Sequence, residues 1–263
     1  MMNTGLAALA AMTVLSGTLF VNATPEPPGA HELRLMSFNI RHCRGADDRV
    51  SIRRTADVIL REKPDIVGLQ EVDRGVCRSA RRDQPMELSK LTGMHATFAK
   101  AIPDQGGEFG NAILSHENPM NVVRIPLPGL EPRVLLLCEF TNCWFGTMHL
   151  DLKEEARLAS VSKIRRGIEK HAETKPVFLS GDWNADAQSK TLSAIREYMT
   201  VISEERCRTF HLYKKHKPGS HYCIDFVAID SANVGKIAVN ETHVTHDLVT
   251  SDHNPIVVTV EMP

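Results

Sequence analysis

The sequence predicts an α/β domain built around one large core. A chain of 263 residues with 42% hydrophobic content is long enough to bury such a core. Strand-like and helix-like segments alternate along it, and no Gly/Ser- or Pro-rich linker divides the interior. The formal charge of −1 argues against a protein built mainly to coat nucleic acid, though it leaves a nuclease open.

The first 23 residues contain no Asp, Glu, Lys or Arg, and Gly5 to Val21 form a soft apolar run closing on Val21-Asn22-Ala23. We read residues 1–23 as an export signal, 24–31 as a Pro-rich linker and 32–263 as the domain, expected to be periplasmic or secreted. A membrane anchor is the other reading of an apolar run of about 17 residues. In an oxidising compartment the six cysteines could pair. Cys207 and Cys223 flank two strand-like segments, and Cys43 and Cys77 each follow a candidate site segment; buried free thiols are the alternative for both pairs. No Cys/His cluster has zinc-finger spacing, so no structural zinc is expected.

In chain order, Glu32 to Ile40 alternates Leu33, Leu35 and Ser37 against Arg34, Met36 and Phe38, which predicts a strand ending at Asn39 with Arg41 just beyond. Ile52, Ala56, Ile59 and Leu60 recur at helical spacing, Ser51 is available as N-cap, and Lys63-Pro64 closes the helix. Asp65 to Glu71 then reads as a buried strand ending on a carboxylate. A right-handed β-α-β crossover places the polar ends of both strands on one sheet edge, which is how distant residues come to share a site. The stretch Arg78 to Arg82 reads as a solvated loop or a substrate contact, and Pro85 to Leu91 as a short helix stopped at Thr92-Gly93. Gly106 to Asn111 is expected to be a loop that could cradle a phosphate, with Asn111 a candidate substrate contact, feeding a strand over Ala112 to Ser115.

Arg133–Phe140 and Cys143–Leu150 read as a hairpin turned at Thr141-Asn142, and His149 repeats the pattern of a polar residue at a strand end. Leu158, Val161, Ile164 and Ile168 stripe a long helix over Leu152 to His171. Pro176-Val177-Phe178-Leu179-Ser180-Gly181-Asp182-Trp183-Asn184 is an apolar strand that ends by presenting a carboxylate and a carboxamide two positions apart, so that Asp182 and Asn184 address one place. A helix is expected over Lys190 to Tyr198. Arg208 to Ser220 reads as a surface loop in which His211 and His216, like His221 just after it, show no ligand spacing. Asp225, inside the apolar run Ile224 to Ile229, requires a cationic or hydrogen-bonding partner. Ser251-Asp252-His253-Asn254-Pro255 precedes a closing strand over Ile256 to Val260.

FNIRH, GLQEVD, GNAILS, TMHLD, LSGDWNAD, IDFVAI and SDHNP follow one another in the order and spacing of the endonuclease/exonuclease/phosphatase superfamily, which the chain resembles from Leu33 to Val260. The resemblance implies a four-layer α/β sandwich, two face-to-face mostly antiparallel sheets flanked by helices, with the site at one rim. It implies Glu71 as the principal Mg²⁺ carboxylate, with Asn39 and Asp252 near the metal. Asp182 would orient or deprotonate water, and Asn184 and His149 would stabilise the phosphoryl group. His253, kept charged by Asp225, would contact the scissile phosphate, as would Arg41. The nuclease branches flank this site with aromatic and basic residues, whereas Val72-Asp73 follows Glu71 here and aromatics are 5% of the chain. The inositol polyphosphate 5-phosphatase segment Pro-x-x-Cys-Asp-Arg is replaced by Tyr222-Cys223-Ile224-Asp225.

Residue chemistry points the same way. A phosphate ester repels hydroxide, so its hydrolysis needs a cation on a non-bridging oxygen and donors where charge accumulates. Glu71 and Asp252 suit a hard Mg²⁺ or Mn²⁺ ion, His253 beside Asp225 can stay cationic, and Asp182 can accept a proton from water. The expectation is an exported Mg²⁺-dependent phosphodiesterase or phosphatase acting, as a monomer, on a small or lipid-derived ester. The alternatives are a secreted deoxyribonuclease I-like nuclease and a non-catalytic binding module on the same fold.

Overall fold

The computed structural model describes residues 31–211 and 222–263. The expected export signal, the linker up to residue 30, His216 and His221 lie outside the described residues. The first sheet contains β1 (His31–Asn39), β2 (Ile66–Arg74), β3 (His95–Asp104), β4 (Gly107–Ser115), β11 (Ala238–Val244) and β12 (Ile256–Met262), in the order β11-β12-β1-β2-β4-β3. The second contains β5 (Asn121–Leu127), β6 (Arg133–Glu139), β7 (Trp144–His149), β8 (Val177–Asp182), β9 (Met199–Val201) and β10 (Asp225–Asp230), in the order β5-β6-β7-β8-β10-β9. Helices α1 (Ile52–Glu62) and α2 (Gln84–Thr92) cover the outer face of the first sheet. The outer face of the second is covered by α3 (Glu154–Ala172) and α4 (Lys190–Ile195). This is the expected four-layer sandwich.

Alternation along the strands builds the layers. Leu35, Ile256, Val258 and Val260 of one sheet meet Leu136, Phe145, Phe178 and Val227 of the other in the middle of the sandwich. Met36, Phe38, Val67 and Val257, at the opposite phase, pack under α1, where Ile52, Ala56 and Ile59 form the buried stripe. Ser51 caps that helix by accepting from the Arg54 N–H, and Gly93 ends α2 in the left-handed conformation.

Each sheet has one parallel pair at its centre, β1/β2 and β7/β8, and every other pairing is antiparallel. The crossovers run through α1 and α3, so four strands deliver their carboxyl ends to one rim. β10 and β12, antiparallel to their neighbours, begin at that same rim. The inner faces change character toward it: Gln70 Nε2 donates across the sandwich to Thr147 Oγ1 at 2.7 Å, with Ser37 and Ser180 beside it, where the strands are aliphatic further down.

Several expectations are corrected. β2 does not stop at Glu71 but runs to Arg74 through a bulge in which Gln70 and Glu71 lie between the paired positions Leu69 and Val72. The glycine-rich segment Gly107 to Asn111 is strand, paired with β3, rather than loop. The helix at Lys190 ends at Ile195, short of Tyr198, and Asp225 opens β10 instead of sitting inside it. Cys207 and Cys223 form a disulfide, whereas Cys43, which is buried, and Cys77, which is exposed, are free thiols.

Gly181 has φ +151 and lies against β7, where a Cβ would sit 2.1 Å from the Met148 carbonyl oxygen. Gly181→Ala is therefore expected to cost more than about 2 kcal/mol of unfolding free energy through overpacking and backbone strain. Urea denaturation followed by circular dichroism checks this, and a shift under half that size would show that β8 can relax away from β7.

Candidate active site

At the shared rim the backbone aims the polar side chains. Glu71 adopts φ +58 inside the β2 bulge, a conformation uncommon for a residue with a Cβ. In a regular strand Glu71 would point opposite to Gln70; the bulge turns its carboxylate onto the rim. Asn184 (φ +48) turns back just after β8, and Arg41, His42 and Cys43 (φ +46, +44 and +60) make a left-handed turn just after β1. That turn is held by Arg41 N–H donating to Asn39 Oδ1 at 3.0 Å, Gln84 Nε2 to the His42 carbonyl at 2.7 Å and Ser51 N–H to the Cys43 carbonyl at 2.8 Å. Five of the ten non-glycine residues with positive φ among the described residues, Arg41, His42, Cys43, Glu71 and Asn184, therefore sit at the strand ends that carry these polar side chains.

Asp182, almost fully buried at the end of β8, is the hub. Its Oδ2 accepts from Asn39 Nδ2 at 3.0 Å and lies 3.5 Å from His149 Nε2 and 3.6 Å from His253 Nε2, while its Oδ1 accepts from the Asn184 N–H at 2.9 Å. The same Asn39 amide donates to Glu71 Oε1 at 3.0 Å, tying the two carboxylates together. His253 Nδ1 faces Asp225 Oδ2 at 2.9 Å, and the Phe210 ring lies 4.8 Å from the His253 ring. Arg41 Nε pairs with Asp252 Oδ2 at 3.5 Å. The structure thus gathers Asn39, Arg41, Glu71, His149, Asp182, Asn184, Asp225, Asp252 and His253 at one place.

Asn111 is the exception. It is buried in β4 and its Nδ2 donates to the Val134 carbonyl of β6 at 2.8 Å, so it stitches the two sheets together rather than facing a substrate. Arg133, to which the sequence reading attached no role, is the converse. It opens β6, is 9% exposed, and places Nη1 3.3 Å from His149 Nδ1 and 2.9 Å from Glu131. A cation at the mouth of an otherwise aliphatic buried strand was its only sequence signal. Arg78 forms a bidentate ion pair with buried Asp73 instead of a solvated loop contact. His211 is buried, and its N–H donates to the Asp252 carbonyl at 2.9 Å.

Electrostatics follow from burial and crowding. Burial and the neighbouring Asp225 raise Asp182 to about 7 against the pull of His253 and Asn39. Burial alone would lower His253, but Asp225 and Asp182 on either side lift it to about 10, so it is cationic at neutral pH. His149 is driven well below its ordinary value by burial and by Arg133, and is neutral. A neutral imidazole has one proton, yet Arg133 Nη1 faces its Nδ1 and Asn184 Nδ2 faces its Nε2 at 3.0 Å. One of these two donors is left over, and both residues line the cavity. Burial raises Glu71, and Asp252 adds to the rise.

Asp182, Asp225 and His253 offer ligand atoms within 4.8 Å of one another, a cluster capable of holding a divalent cation. Both nitrogens of His253 face carboxylates, however, so in this arrangement the ring acts as a bridging cation between two acids. Glu71 and Asp252 add two more carboxylates to the same rim. Four acids against one histidinium and Arg41 leave negative charge that a hard, oxygen-seeking divalent ion would neutralise, so the donor set fits such an ion.

The family model for the endonuclease/exonuclease/phosphatase family matches residues 36–253. No curated protein matches the chain. Among solved structures it is similar to the endonuclease/exonuclease/phosphatase from Bacteroides vulgatus, at 19% identity over 89% of this chain and 100% of that one, with a TM-score of 0.73. It is similar to a mannosyl-6-phosphatase of Bacteroides thetaiotaomicron VPI-5482, at 18% identity over 87% and 99% with a TM-score of 0.65. It is also similar to D. rerio TDP2 complexed with single strand DNA product, at 17% identity over 87% and 98% with a TM-score of 0.61. Identities this low speak for the fold alone. The family model spans most of the domain and includes every strand-end residue of the site described above, and the chain belongs to the endonuclease/exonuclease/phosphatase family.

Proposed function

We propose that this protein is an exported Mg²⁺-dependent phosphoesterase that hydrolyses a small phosphate ester by direct attack of water. The observation that carries this reading is the convergence of Asn39, His149 and His253 on Asp182 Oδ2, beside Glu71 and Asp252. Glu71 and Asp252 would hold the cation, Mg²⁺ or Mn²⁺, which when bound supplies positive charge to a non-bridging oxygen. Ionised Asp182 takes the proton of the attacking water, as its contacts with two amide donors orient it to do. His253 is held cationic by Asp225 at Nδ1, while its Nε2, 3.6 Å from Asp182 and so beyond hydrogen-bond distance, donates to the phosphoryl oxygen on which charge builds. Whichever of Arg133 and Asn184 is not spent on neutral His149 donates to another. No side chain need form a covalent intermediate, because water is the nucleophile.

Of the three similar structures named above, one is a mannosyl-6-phosphatase and another was captured with a single-stranded DNA product, so the fold admits both kinds of substrate. The chain's charge of −1 and its 5% aromatic content favour the small ester over the nuclease reading. Export draws on the uncharged apolar N-terminal run and on the Cys207–Cys223 disulfide, a bond typical of oxidising compartments. N-terminal sequencing of the exported protein is expected to begin near Thr24; a mature chain that retains Met1 would argue for an anchor.

Purified protein with Mg²⁺ is expected to hydrolyse bis-p-nitrophenyl phosphate, and EDTA to abolish the activity reversibly. Asp182→Asn and His253→Ala are each expected to lower kcat by about 10²–10⁴ with the circular dichroism spectrum unchanged. Losses under tenfold would remove those residues from the mechanism, and plasmid nicking that matches the best small ester would favour the nuclease.

The pH profile of kcat/KM is expected to be bell-shaped. Activity falls with acid as Asp182, whose affinity for a proton is raised by burial and Asp225, is protonated, and falls with alkali as His253 loses its proton near 10. Asp225→Asn removes the main support of the histidinium, so the alkaline limb should move to lower pH. An unmoved limb would assign it to another group.

A further inference from the structure

The reaction centre is the floor of a cavity of about 530 Å³, and its walls carry two ion pairs whose carboxylates, Asp104 and Glu131, take no part in the chemistry. On one side stands Arg78, just after β2, with every arm committed. Nε and Nη2 bind Asp73 at 3.0 and 2.7 Å, Nη1 binds Asp104 at 3.1 Å, and the guanidinium lies 5.0 Å from the centre of the Phe109 ring. On the other side Arg133 binds Glu131 at 2.9 Å. Asp104 and Glu131 remain open to solvent, with side chains 23% and 46% exposed. The apolar part of the cavity lining is formed by Ile102, Phe109, Leu152, Phe210 and Ile224.

Resting on the phosphoesterase reading above, we propose that the ester's leaving group is an uncharged polyol of monosaccharide size that bears no second phosphate. A second phosphate reaching this wall would have to displace Asp104 or Glu131 from its arginine and then lie beside the carboxylate it displaced, which discriminates against it. A cationic head group finds each carboxylate already neutralised. Hydroxyl groups fit without changing the charge balance, since each can donate to a carboxylate oxygen and accept from a guanidinium while the C–H face of the sugar lies on the apolar lining. Asp104, at the end of β3, is the residue that sets this preference. It touches none of the groups at the floor, but meets the leaving group as it enters.

The test compares kcat and KM for glucose 6-phosphate, fructose 1,6-bisphosphate, choline phosphate and bis-p-nitrophenyl phosphate, in wild type and in Asp104→Asn. The wild type is expected to favour glucose 6-phosphate over the bisphosphate and choline phosphate by about tenfold or more in kcat/KM. Asp104→Asn is expected to narrow that preference about tenfold, mainly through KM and relative to the aryl ester, as a lost hydroxyl partner would. A thermal midpoint equal to wild type excludes a folding effect. Equal or better turnover of the bisphosphate or of choline phosphate overturns the proposal, as does an Asp104→Asn loss that is the same for sugar and aryl esters. Hydrolysis of the aryl ester without hydrolysis of glucose 6-phosphate overturns it while leaving the phosphoesterase reading intact. If no ester is hydrolysed, both fail together.

Discussion

A buried carboxylate with another acid beside it is an expensive thing to fold around, and the rim of this sandwich is arranged about one. Asp182 is nearly inaccessible, and Asp225 lies directly across the β8/β10 pairing from it. Left alone, such a group would take up a proton and stay neutral. Five separate stretches of chain contact it or its partners, and three of those contacts, from His253, the Asn39 amide and the Asn184 N–H, favour the ionised form. The Asn39 amide comes from β1, the Asn184 N–H from the turn after β8, His149 from β7, His253 from the loop before β12, and Asp225 acts through His253. Each of these has a second partner that fixes it in turn: Asn39 through Glu71 and the Arg41 N–H, and His253 through Asp225. The carboxylate is thereby poised near neutrality, useful for moving a proton and unhelpful for stability.

The sandwich makes this convergence possible through a repeated device. In each sheet a strand, a covering helix and a second parallel strand return the chain to the same edge, so that β1 and β2 present Asn39 and Glu71 while β7 and β8 present His149 and Asp182. Face-to-face packing then brings the two edges together. The inner faces prepare for charge by degrees, from aliphatic side chains through the Gln70–Thr147 bridge to the acids. Gly68 permits this approach, because a Cβ there would meet Ser180 Oγ at 2.3 Å and Thr147 Oγ1 at 2.7 Å.

Left-handed backbone recurs where the aim of a site side chain matters. The three successive left-handed residues Arg41, His42 and Cys43 would cost roughly 1–2 kcal/mol each in isolation. They are held by an asparagine oxygen, a glutamine from α2 and the backbone entering α1, which makes α1 and α2 part of the site's support although neither touches it. Glu71 and Asn184 pay the same penalty singly, each just where a strand must redirect its polar end.

All eight interior strands and the four helices were legible in the sequence, though not the ends of β2, β4 and α4, because a strand covered on both faces must be apolar and an abrupt amide or carboxylate at its end stands out. The four strands without such signals, β3, β5, β9 and β11, are the sheet edges, where half-solvated positions such as those of Ala238 to Val244 carry polar residues and β5 tolerates Pro126. The family resemblance collected the strand-end residues into one site before any coordinates did. Which way they face was settled by packing: the bulge that turns Glu71, the inter-sheet bond that takes Asn111 away from the cavity, and the ion pairs that commit Arg78 and Arg133. Those outcomes depend on register between strands distant in sequence and on the partner that meets a side chain once two sheets close, and neither quantity is written in local composition.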